Sequence, residues 1–154
     1  MNKLQQQINS NEKIIHLDFE SHLQKQYENL IMVSHNKVIR ADEIVKLEAS
    51  GAYTKYHLKS GKIFMSSYNL KRQEKLISNP LFFRIHKSFI INMCYVSSIT
   101  FKSPMVVTFQ NSESIQVSRR KAKSFWFQIR YLISQEFIFT GLEIYCPLSN
   151  ANVL

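Results

Sequence analysis

Arg84-Ile85-His86-Lys87-Ser88-Phe89-Ile90-Ile91-Asn92 is the stretch on which the fold turns. Arg84, His86 and Ser88 share one face at period two, with Ile85 between them, which is the alternation of a strand. At Phe89 the alternation collapses into Phe89-Ile90-Ile91, a run that buries both faces. The expectation is a buried strand that breaks near Ser88, anchored by the apolar run and turned outward at its polar end.

The polar residues before the break admit three readings: a catalytic cluster, a structural knot, or a strand end presented to a partner. A hydrolytic Ser/His pair needs a base oriented by a third group and an oxyanion hole. The acids nearest in sequence are Glu74 and Glu113, and there is no GxSxG elbow. Catalysis is therefore not expected, and no catalytic residue is assigned. In the knot reading Arg84 or His86 bonds the backbone behind the break. Lys87 and Ser88 are then the pair facing outward.

Working outward, the flanks read as β. LIMVS is a strand, and VIRADEIVKLEA a second, bulged one. YTKYHL and KIFMSSY flank Lys59-Ser60-Gly61 and form a hairpin. YVSSITF and MVVTFQ are separated by Lys102-Ser103-Pro104, and MVVTFQ and SIQVS by Asn111-Ser112-Glu113. Many short strands with short helices predict a mainly β fold of antiparallel strands in small sheets. NLKRQEKLIS has an N-cap candidate in Asn69 and stops at Asn79-Pro80, so it is a short helix. The clearest helix carries Ala122, Phe125, Trp126, Ile129, Leu132 and Ile133 at helical spacing, with its aromatics in the core. Ile15, Phe19, Leu23, Tyr27 and Leu30 suggest an amphipathic N-terminal arm. FIFTGLEIY near the C-terminus suggests a further strand. The domain reading is an arm over 1–30, a β domain over 31–134 and a tail over 135–154.

Charge narrows the partner. The chain has 20 Lys and Arg against 11 Asp and Glu, a net of +9. Between Arg84 and Arg130 stand eight of those cations and a single acid, Glu113. Such asymmetry fits a polyanionic partner, nucleic acid before an acidic membrane surface. SRRKAK, Ser118 to Lys123, is its densest part. With Ser118 as N-cap, Arg119, Arg120 and Lys121 enter the first helical turn, where the macrodipole disfavours cations. An external anion such as phosphate would compensate, held by helix-start amides and arginine forks. The alternative starts the helix later, at Ser124, and leaves SRRKAK a solvated loop. In EASGAYTKYHLKSG, Gly51 permits a tight turn that brings Tyr53, Thr54 and Lys55 toward a groove, or is simply a β-turn.

Other classes are excluded on composition. With 45% apolar residues the chain can build a core, so general disorder is not expected. No apolar run approaches a membrane span, and the N-terminus lacks a secretory h-region. Cys94 and Cys146 read as reduced packing residues of a cytoplasmic protein. The histidines lack metal spacing and there is no phosphate-binding glycine loop, so neither metal, cofactor nor small-molecule substrate is expected.

Taken together, residues from about Leu30 to Tyr131 resemble the LytTR-type DNA-binding domain of bacterial transcription regulators. Two motifs carry the resemblance. The first is F-x-R-x-H-[RK]-S-[FY]-x-V-N, matched by Phe82 to Asn92 with Ile91 in place of Val. The second is [IV]-x-V-S-R-R, matched by Ile115 to Arg120. The resemblance implies a non-enzymatic, sequence-specific binder of double-stranded DNA that places loops in successive major grooves. It assigns DNA contacts to His86, Lys87 and Ser88, to Arg119 and Arg120, to Lys121 and Lys123, and to the loop bearing Tyr53, Thr54 and Lys55. Arg119 matches a base-reading arginine able to hold guanine O6 and N7. Lys87, Ser88, Arg120, Lys121 and Lys123 correspond to phosphate contacts that set register. Paired repeat sites and a homodimer on DNA, or another regulator as partner, are expected. Many family members carry an N-terminal receiver domain; the roughly 30 residues before the match are too few for one. The alternative function is a protein-interaction adaptor or antagonist of another regulator.

Overall fold

The computed structural model describes residues 29–134 and 143–145. At its centre lies a five-stranded antiparallel sheet. Its strands are β3 (Ile44–Ser50), β4 (Tyr53–Leu58), β5 (Ile63–Ser66), β6 (Phe82–His86) and β7 (Phe89–Asn92), ordered β5-β4-β3-β7-β6. One face is covered by the hairpin of β1 (Leu30–Ser34) and β2 (Lys37–Arg40) and by helix α1 (Leu70–Leu76). The other packs on a second sheet containing β8 (Val96–Thr100), β9 (Val106–Phe109) and β10 (Ser114–Gln116), and on helix α2 (Arg119–Ser134). Among the described residues the fold is mainly β with two α-helices, in line with the expected mainly β class. One pairing departs from the antiparallel rule: β11 (Glu143–Tyr145) runs parallel to β8. It falls within the FIFTGLEIY stretch.

This sandwich explains the apolar run. Ile90 points into the core with Ile31, Val33, Leu47, Tyr56 and Leu70. Ile91 points into the opposite core with Phe83, Ile85, Ile99, Val107 and Phe125. A strand covered on both faces loses alternation. The expectation of one broken strand is nonetheless corrected. The break at Lys87-Ser88 is a hairpin turn, with Arg84 opposite Ile90 and His86 opposite Phe89.

A second correction concerns VIRADEIVKLEA, which is two strands divided by a 3-10 turn at Ala41–Glu43. Arg40 donates to both carboxylate oxygens of Asp42, at 2.8 and 3.0 Å, and Ala41 is buried. Asn92 secures the turn from the neighbouring strand. Its buried amide donates to the carbonyls of Ala41 (3.1 Å) and Ile44 (2.8 Å), and its oxygen accepts the Cys94 N–H. The last residue of the first motif is thus a polar rivet between β7 and the chain entering β3.

Asn69 caps α1 by accepting from Arg72 N–H at 2.9 Å. On α2, Phe125 meets Phe83 edge-on at 5.6 Å and Trp126 meets Phe101 at 4.5 Å, while Phe127 and Tyr131, off the stripe, are exposed. Lys46 bridges the two sheets. It is buried, its ammonium pairs with Glu113 of the β9–β10 turn, and it lies about midway between the Phe89 and Phe109 rings. Cys94 is exposed rather than a packing residue; partial burial, then Asp42, pushes its thiol up. The N-terminal arm, except its last two residues, and Cys146 lie outside the described residues. Among those residues no helix is long and apolar enough to cross a membrane.

Candidate nucleic-acid interface

Antiparallel pairing puts the end of β3 beside the start of β7, so their turns emerge at one end of the central sheet. The Ala49 N–H donates to the Ser88 carbonyl at 2.8 Å, joining the Gly51-Ala52 turn to the Lys87-Ser88 turn. The Ser118 N–H donates to the Ile85 carbonyl at 2.9 Å, joining the start of α2 to the strand behind that second turn. Two backbone hydrogen bonds therefore assemble three segments that are distant in sequence. Tyr53, Lys87, Arg119 and Arg120 are exposed on them.

The Lys87-Ser88 turn contains no glycine and is held by side chains. Arg84 donates through Nε to the His86 carbonyl at 2.6 Å and through Nη2 to the Lys87 carbonyl. Its third arm, Nη1, reaches Glu74 of α1 at 3.0 Å. His86 Nδ1 accepts the Ser88 N–H at 3.1 Å, so the neutral ring carries its proton on Nε2. Both Arg84 and His86 act as the knot, and Arg84 is 13% exposed. Ser88 is half-buried, with its backbone committed on both sides, while Lys87 projects.

Helix α2 begins at Arg119, and the Ser118 carbonyl accepts the Ala122 N–H at 3.0 Å. The alternative start at Ser124 is ruled out. No acid lies in the first turn. Arg119, Arg120 and Lys123 are exposed, but Lys121 is half-buried, its ammonium 3.8 Å from the second Glu74 oxygen. One of the three first-turn cations thus has an internal counter-ion, which the sequence does not announce.

The β3–β4 turn is different in kind. Gly51 has φ +60° and Ser50 pairs with Tyr53, as in a hairpin with a positive φ at its first central residue. Tyr53 is 53% exposed. Thr54 is corrected: it is fully buried opposite Ser66, and its hydroxyl finds no partner among the described residues. The pleat sends Tyr53, Lys55 and His57 to one face and Thr54 and Tyr56 to the other. Thr54 is therefore a core residue, not a surface contact. Lys55 is half-buried and sits across the strands from Glu48, whose carboxylate meets His57 at 2.8 Å.

Sequence reasoning misses Glu74 as part of this surface. Its signal is faint: the only acid in a helix otherwise bearing Lys71, Arg72 and Lys75.

The surface is thus a basic, loop-built end of a β sandwich, of the class that presents turns and a helix start to a polyanion. The family profile described as the LytTr DNA-binding domain matches residues 34–129, and the chain belongs to that family. It is a family of DNA-binding domains of transcription regulators, not of enzymes. The chain is 27% identical over 143 residues to the sensory transduction protein LytR of Staphylococcus haemolyticus, covering 84% of this chain. It spans 56% of that relative's length. Its fold matches the solved LytTr DNA-binding domain of a Bacillus cereus response regulator with a TM-score of 0.57, at 22% identity over 66% of this chain and 96% of that domain.

Proposed function

We propose that this protein is a sequence-specific regulator that docks the three-segment end of its sheet on double-stranded DNA and reads major grooves through those segments. The observation that carries this is the backbone linkage of the Gly51, Lys87 and Arg119 segments, which gathers basic side chains from three parts of the chain onto one end. In this reading Arg119 contacts base edges. Lys87, Ser88, Arg120 and Lys123 hold phosphates, with His86 donating from Nε2 beside them, while Lys121 is held back by Glu74. Tyr53 and Lys55 approach an adjacent groove.

Residues 31–134 serve as the DNA-binding unit, flanked by the 1–30 arm and the 135–154 tail. One small domain buries limited surface, so two copies on paired repeats, as a homodimer or with another regulator, add the missing affinity through effective concentration. The setting is the cytoplasm, and no reaction is catalysed.

Selection of bound sequences from a random duplex pool returns the site and its repeat spacing. On that site Arg119→Ala should cost about 1–3 kcal/mol and relax preference at one position. Equal weakening on cognate and random DNA would reduce Arg119 to a phosphate clamp. Absence of steep salt dependence in the unmodified protein would instead favour the adaptor reading.

A further inference from the structure

We propose that Glu74 sets DNA specificity by fixing the spacing between the Lys87-Ser88 turn and the start of α2; this rests on the DNA-binding reading above. A carboxylate beside an anion-binding surface repels the ligand, so its presence needs a reason. Stability is a reason on the Arg84 side, at 3.0 Å with Arg84 13% exposed, but a weak one on the Lys121 side: Lys121 and Glu74 are 42% and 40% exposed and 3.8 Å apart, and such screened pairs contribute little.

Geometry is a better reason. Arg84 commits Nε and Nη2 to the two carbonyls of the turn, so its planar fork has one orientation left. The remaining Nη1 fixes one Glu74 oxygen at 3.0 Å, and the other oxygen then faces the Lys121 ammonium. The three side chains line a cleft of about 350 Å³ at the β6 edge of the sheet, together with Ser124 and Gln128. Among the described residues, Glu74 is thus the acid that touches both basic segments: the turn through Arg84, the helix through Lys121.

Random DNA asks only for positive charge, whereas a cognate site asks for phosphate and base contacts in one register. Glu74 opposes the first and serves the second. It also occupies Lys121, leaving that ammonium less available to a phosphate.

The test measures binding of full-length protein to its selected site and to a random duplex across a salt series, for wild type, Glu74→Gln, Lys121→Gln and the double variant. Glu74→Gln keeps the side-chain shape and an acceptor for Arg84. It should bind random duplex about threefold more tightly and lose about five- to tenfold in the cognate-to-random ratio, the low end of a lost specific contact. Its salt slope should steepen by about 0.9, because the released Lys121 neutralises one more phosphate. In the Lys121→Gln background the same change should leave the slope where it was.

An unchanged ratio in Glu74→Gln overturns the proposal while leaving the DNA-binding reading intact. So does a parallel fall on both duplexes with no change in slope, which would mark Glu74 as merely structural. Wild type that binds no duplex overturns both.

Discussion

The two turns that meet at the end of the central sheet are built on opposite principles. Gly51-Ala52 relies on the backbone freedom of one glycine at φ +60°, and a Cβ added there would meet nothing within 4 Å. Lys87-Ser88 has no glycine, and its conformation is imposed by Arg84 and His86, with Glu74 behind Arg84. The first is a local solution, set by the backbone of the turn and the pairing of its two strands. The second is a long-range solution that makes the turn's position depend on α1.

The comparison breaks most visibly at Arg84. Arg84→Ala removes three charge-assisted donors from a mostly buried site and leaves the His86 and Lys87 carbonyls without them. Equilibrium urea unfolding should show a loss of about 2–3 kcal/mol. Arg84→Lys should recover only part of it, because one ammonium cannot reproduce the fork. Stability equal to wild type in Arg84→Ala would mean that the backbone alone fixes the turn.

Gly51→Ala probes the other principle. With open space around it the only penalty is the left-handed backbone, about 1 kcal/mol in the same unfolding measurement. Gly51→Asn, whose side chain tolerates that region, should lose less. A loss rivalling that of Arg84→Ala would erase the distinction between the two turns.

The same contrast explains what the sequence discloses. Gly51, the Lys59-Ser60-Gly61 turn and the Asn69 cap announce themselves locally, and strands, hairpin and helices are legible there. The Ala122-to-Ile129 stripe is equally plain, because helix period and burial coincide. The Lys87-Ser88 hairpin reads as a strand break because it has no Gly, Pro, Asn or Asp; its cause, Arg84 reaching round to two carbonyls, has no local signature. Thr54 groups with its neighbours as a surface loop, though strand alternation one residue past the turn sends it inward. Of the basic surface, the positions are legible from charge and motif. The pairing of Lys121 with Glu74, forty-seven residues apart in sequence, is not, since it exists only once the two helices, on opposite faces of the central sheet, meet at its β6 edge.

Lys87 gives the smallest and sharpest effect. It sits exposed at the tip of the strapped turn, and only its backbone carbonyl takes part in the strap. Lys87→Ala should therefore leave unfolding within about 0.5 kcal/mol of wild type, as expected for a surface position without such features. If the turn delivers this ammonium to a phosphate, the variant should weaken cognate and random duplex alike and reduce the salt slope by about 0.9. Because the carbonyl that Arg84 holds is retained by alanine, the turn stays in place and the change isolates the charge. Should the affinity fall on the cognate site alone, Lys87 would be reading a base, and the strap would serve to position a specificity contact. With no change on either duplex, the strapped turn would be a scaffold for the neighbouring Arg119 segment, fixed through the Ser118 to Ile85 bond.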